Sequence, residues 1–234
     1  MGRRSGDPST RGVGVNFRLV GFPVEIQSGA LIYAGIYLLF GIQAQRPISE
    51  SALGVLAMLG SVLFHELGHA SMARAFHLGP VSIILHGFGG ITRHRGSPQP
   101  WKDFLVTIAG PAAGLLLALI AFLALRLPLP DLALSVLRIL VGVNVFWSLF
   151  NLLPLFPLDG GQALFAGMRQ FAPNQALPAT FFTGLLGGGM LAAGALYLSF
   201  KGSTNAIFLL FVAGMIVRDN LQLRTHWRDR REGR

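Results

Sequence analysis

The chain has 234 residues, 52% hydrophobic and only 12% charged, which is more apolar surface than a water-soluble domain of that length can cover. It has no cysteine, so disulfides and thiolate metal sites are excluded and any transition metal must be held by His and carboxylate. The net charge is +9, but the arginines gather at the two ends and between oily segments, a pattern of membrane topology and not of a nucleic-acid-binding face.

Taken in chain order, a polar lead over residues 1–29 contains NFRLVGFPVEIQ, whose alternating β-branched and aromatic residues around a glycine predict strand, turn and strand. Apolar runs follow at Ala30–Ile42, Ala52–Phe76, Phe104–Leu127, Leu132–Leu153, Ala179–Phe200 and Ala206–Val217. Most approach the ~20 residues a helix needs to cross ~30 Å of hydrocarbon, although the first and last are short. The first run follows Pro23 and Glu25 and lacks a convincing cleavage site, so it reads as a span and not as a signal peptide. Between the second and third runs, VSIILHGFGGITRH again predicts strand and turn.

Six spans with both ends inside leave only Arg46, Arg126, Arg138 and Lys201 on the outer side, and the remainder of the nineteen Lys and Arg within. The expected fold is therefore an all-α polytopic membrane protein of about six transmembrane helices with small cytoplasmic-side β-strands. Its expected parts are an N-terminal cytoplasmic segment 1–29, a transmembrane core 30–222 and a basic tail 223–234 that anchors on anionic lipid.

The second run contains SVLFHELGHASMARAF. On a helix, His65 and His69 are one turn apart and can reach one metal ion, with Glu66 beside them to act on a water. Ionisable groups in hydrocarbon are costly and mark function. A catalytic metal needs a third protein ligand. Most other acids lie at the outer face, in the tail or before the first run, and Asp103 reads as a helix-start charge beside Lys102. His77, His86, His94 and His226 read as surface or interfacial histidines, with His86 next in line as an alternative ligand.

Asp159 remains. It stands in NLLPLFPLDGG, where Pro154 and Pro157 disfavour helix and Gly160 and Gly161 allow a tight turn, so the carboxylate is expected on irregular backbone at the inner end of the fourth run. Asn144, Ser148 and Asn151 form a polar stripe on that run, expected to face inward. A depth estimate puts His65 ~21 Å down a ~30 Å core, on the side where Asp159 emerges.

HELGH on one span with NLLPLFPLDG at the end of another resembles the site-2 protease family of intramembrane zinc metalloproteases. The resemblance extends through FRLVGFPVEIQ, GFGGI and IAGPAAG, over roughly Phe17 to Ala166. It implies one Zn2+ per chain on His65, His69 and Asp159, Glu66 as general base, and Asn151 as a catalytic polar residue near the scissile bond. It also implies a transmembrane protein substrate, while the charge distribution gives the expectation of no nucleic-acid partner and of a multi-pass protein of the cell membrane with both termini cytoplasmic. Gly114 departs from the family pattern, since many relatives carry asparagine there; with Gly110 it makes a small-xxx-small step suited to close helix packing.

Nothing between His69 and Asp159 is long enough for an inserted PDZ domain, and the dozen residues after Gln222 are too few for a cystathionine-β-synthase-type domain, so a minimal member is expected. Two other readings use the same residues: a membrane zinc transporter or metal-binding protein, and a catalytically idle helix-binding regulator. The near absence of polar groups in the other spans argues against a transport path, and Glu66 argues against an idle site.

Overall fold

The structure is a computed structural model that describes residues 14–31, 47–87, 89–202 and 205–231, with positions 34, 35, 38 and 45. Residues 28–31 are helical, but most of the apolar run 30–42 lies outside the described residues, and the expected first span with it. Four strands, β1 (Gly14–Leu19), β2 (Phe22–Gln27), β3 (Ser82–His86) and β4 (Gly89–Arg93), form one sheet in the order β1-β2-β3-β4. Six helices have described bounds: α1 (Ile48–Ala75), α2 (Pro100–Ala124), α3 (Asp131–Asn151), α4 (Asp159–Phe171), α5 (Pro173–Phe200) and α6 (Asn205–Arg231).

Among the described residues four helices, α1, α2, α3 and α5, are long and apolar enough to cross a membrane. Leu116, Leu119, Ile120, Phe122 and Leu123 on α2 and Phe182, Leu186 and Met190 on α5 lie exposed, surface that hydrocarbon solvates and water does not. The expected sixth span, Ala206–Val217, is the first half of α6, which stays helical through the polar residues after it to Arg231. The basic stretch expected as a tail from 223 therefore continues a helix.

The chain packs as two compact units. One holds the sheet, α1 and the stretch Leu116–Asn144. Its sheet consists of two antiparallel hairpins, β1 with β2 and β3 with β4, joined by parallel pairing of Val24, Glu25 and Ile26 with Ile83, Ile84 and Leu85. The β1–β2 turn needs positive φ at Val20 (50°) and Gly21 (83°), which accounts for the glycine there. Arg74, near the end of α1, secures that turn by donating to the Val20 carbonyl at 3.0 Å, and its guanidinium lies 4.2 Å above the Phe22 ring. β3 and β4 pack on α1.

The buried residues of α1, among them Ser51, Val55, Ser61, Val62, His65, Glu66, His69, Ala70 and Ala73, recur every three or four positions and form one stripe. Asn144 on α3 joins that stripe, its side-chain amide donating to the Ser61 hydroxyl at 2.8 Å, while Ser61 donates to the Ala57 carbonyl. In hydrocarbon such bonds satisfy groups that lipid cannot.

The other unit holds Gly96–Leu115 and the described residues from Val145 onward. α5 packs along α6, and Leu155 and Leu158 of the connection before α4 pack with Val212 and Ile216 of α6. Gly184, Gly187 and Gly188 on α5 allow this approach: a Cβ on Gly188 would meet Val217 at 2.9 Å, and the other two would run into Asn220 and Leu155.

Candidate metal centre

On α1 the spacing read from the sequence becomes geometry. Nε2 of His65 and Nε2 of His69 lie 3.1 Å apart, with the rings edge to face at 78°. Two nitrogens bound at ~2.05 Å to one tetrahedral ion would stand about 3.3 Å apart, so the pair fits a shared cation. His65, Glu66 and His69 are all buried, and their ligand atoms lie within 4.8 Å of one another. Among the described residues they form the one cluster of three or more potential metal ligands. Two imidazoles and a carboxylate, with no thiolate, suit a borderline cation such as zinc.

The carboxylate of Glu66 meets β4: the Thr92 hydroxyl lies 2.8 Å from Oε2 and 3.1 Å from the Glu66 backbone oxygen. Thr92 was not legible as a site residue, because 26 positions separate it from Glu66 and only the packing of β4 on α1 joins them. His86 ends β3 opposite Gly89, and partial burial pulls its imidazole below the ordinary histidine value, so the neutral form is favoured there.

Asp159 belongs to the other unit. It is buried and is the first residue of α4, in helical backbone rather than the irregular backbone expected; the irregular stretch ends at Leu158, the extended residue just before the helix. Gly160 and Gly161 serve a different purpose from the expected turn. A Cβ on Gly160 would strike the carbonyl oxygens of Leu152 and Leu153, and one on Gly161 the backbone of Leu155 and Phe156, so the start of α4 lies against the preceding chain where only glycine fits. A carboxylate in the first turn of a helix also faces the positive end of its dipole.

The polar stripe of α3 is partly as expected. Asn144 and Ser148 are buried, at 2% and 1% exposure, whereas Asn151 is half-buried and donates to the Trp147 carbonyl of its own helix at 2.9 Å. Sequence reasoning also missed Asn220, fully buried on α6, whose side-chain amide donates to the Phe156 carbonyl and, at 2.7 Å, to that of Ile216.

Comparison with known proteins agrees with this geometry. The profile of Peptidase family M50 matches residues 53–130, which hold the histidine pair and β4. Rip3 of Mycobacterium tuberculosis is 40% identical over 161 residues, 62% of this chain and 41% of that protein. YwhC of Bacillus subtilis is 31% identical over 149 residues, 49% of this chain and 68% of that protein. Both carry the words zinc metalloprotease in their names. The chain thus spans less than half the length of Rip3, but two thirds of YwhC. The solved site-2 protease from Methanocaldococcus jannaschii has the same fold, with a TM-score of 0.62 and 20% identity over 89% of this chain and 94% of that one. With HELGH on a buried helix stripe and two thirds of YwhC matched, the chain belongs to peptidase family M50, the family of the site-2 proteases.

Proposed function

We propose that the protein is an intramembrane zinc metallopeptidase that hydrolyses peptide bonds within or near the transmembrane segments of other membrane proteins. One observation carries the reading: the buried cluster of His65, Glu66 and His69 on a helix of membrane-spanning length and composition. The names of Rip3 and YwhC, and the family, support it.

His65 and His69 would hold one Zn2+ per chain, and Asp159 is the proposed third ligand, supported by its burial and its place in LDGG. When bound, zinc supplies Lewis-acid chemistry, acidifying water and polarising a carbonyl. Glu66 then acts as general base, taking the proton of the attacking water and returning it to the leaving amine. Asn151 is the proposed polar residue beside the scissile bond, and because its amide already donates within α3 it would have to exchange that bond to take part.

A helical substrate hides its carbonyls in its own hydrogen bonds and must be extended locally before attack. β4 is the outer strand next to α1, paired within the described sheet with β3 alone, and suits β-strand addition by that extended segment. The inner bias of Lys and Arg supports a six-span arrangement with both termini cytoplasmic, which adds the first apolar run and the start of α6 to the four spans described.

Purified protein incubated with a panel of single-span peptides, with and without chelator and with metal content measured, tests the reading. Cleavage that depends on about one zinc per chain is expected. Bound zinc without cleavage of any peptide would favour the metal-binding or transport reading.

A further inference from the structure

β4 turns one face to α1 and the other away from it. On the facing side stand Gly90 and Thr92, two residues apart; Ile91, between them, is 48% exposed. Both facing residues address the same group. The Thr92 hydroxyl reaches Oε2 of Glu66 at 2.8 Å, and since a carboxylate only accepts, the hydroxyl is the donor. Its single proton can instead go to the Glu66 backbone oxygen at 3.1 Å, so the same hydroxyl bridges the main chain and side chain of one residue. Gly90 lies flat against that side chain: a Cβ there would come within 2.6 Å of Cδ and 2.7 Å of Oε1.

A glutamate has three side-chain torsions, and a general base is effective only when its oxygen stands within hydrogen-bond reach of the proton it removes. Burial on α1 limits the space for Glu66, and the pair on β4 narrows its choice further: the Thr92 hydroxyl holds one oxygen, and the missing side chain at Gly90 leaves the room that this rotamer occupies.

We infer that Thr92 is a positioning residue for Glu66, holding the carboxylate in the orientation that proton abstraction requires, with Gly90 providing the space. The inference rests on the peptidase reading. It places part of the catalytic geometry on the strand proposed to receive substrate, and not on the metal-binding helix alone.

Thr92→Val keeps the shape and removes the donor. The full chain carrying it should keep its zinc content and metal affinity, keep KM within about twofold, and lose kcat by about tenfold to a hundredfold, the range for a hydrogen bond to a charged group. Thr92→Ser should restore most of kcat. Gly90→Ala should also lower kcat while keeping zinc, because the atoms a new methyl meets belong to the movable Glu66 side chain. An independent readout is the carboxylate stretch of Glu66, isolated as the infrared difference between wild type and Glu66→Gln, which should shift in Thr92→Val. Wild-type kcat in Thr92→Val, an equal loss in Thr92→Ser, or loss of zinc in step with activity would overturn the assignment. If the band shifts but wild type cleaves nothing, the peptidase reading fails and the contact stands.

Discussion

Asn220, fully buried on α6, donates its side-chain amide to the carbonyl of Phe156, three residues ahead of Asp159. Because the Ile216 carbonyl accepts from the same NH2, both of its hydrogens are directed at backbone oxygens, and Gly184 leaves the space for the group on the α5 side. The connection that delivers Asp159 is thus tied to the last helix by a polar bond as well as by Leu155 and Leu158.

Asn220→Ala should therefore destabilise the fold by about 1–3 kcal/mol, the usual penalty for leaving a buried backbone acceptor unpaired. Thermal unfolding in detergent measures this. Zinc affinity should fall as well if Asp159 is a ligand, since its carrier loosens. Unchanged stability and unchanged metal binding would mean that the connection is held by its apolar contacts alone.

The zinc ligands can be tested directly. Alanine at His65, His69 or Asp159 should each lower metal affinity by more than the roughly 10–100-fold that follows loss of an outer hydrogen-bond partner, because three ligands are the minimum for a catalytic site. Equilibrium dialysis against a competing chelator gives the numbers. Undiminished zinc in Asp159→Ala would move the third ligand elsewhere, with His86, favoured in its neutral form, first in line.

Binding and chemistry separate at Glu66. Glu66→Gln keeps the size and burial of the side chain and removes its basicity, so it should retain zinc and lose two or more powers of ten in cleavage rate. Near wild-type cleavage by this variant would rule out the mechanism as written.

What could be read from the chain alone follows from the range of the signals. α1, α2, α3 and α5 were legible because each carries a long apolar run, and His65, Glu66 and His69 because i, i+4 spacing is local. Both hairpins were legible from their alternation about Gly21 and the GFGG turn. α4 was missed: it is short, amphipathic and opens on two glycines, which in sequence signal a turn and in the fold mark a close approach to residues 152–156. Thr92 and Asn220 were missed because their partners lie 26 and 64 positions away, and no periodicity reports a hydrogen bond between elements. The polar residues that end the apolar run of α6 hid Asn220 further, since it lies beyond Val217, where the expected sixth span stops, beside the charged Arg218 and Asp219.

The final prediction concerns where the substrate is cut. His65 lies seventeen residues along α1 from Ile48, or ~25 Å at 1.5 Å per residue, against a ~30 Å hydrocarbon core. With the proposed topology, in which α1 runs inward, the metal sits in the cytoplasmic part of the bilayer. Carrying the scissile bond toward the outer leaflet would expose extended backbone to lipid, where each unsatisfied polar group costs several kcal/mol. Cuts should therefore fall in the cytoplasmic half of the substrate's membrane segment, near a Gly, Pro, Ser or Asn that weakens the helix. Mass spectrometry of product termini locates them, and cuts clustered in the outer half would sink the topology and the depth argument together. Replacing the weakening residue by Leu should slow cleavage and leave zinc binding untouched, because the change acts only on the cost of extending the substrate helix.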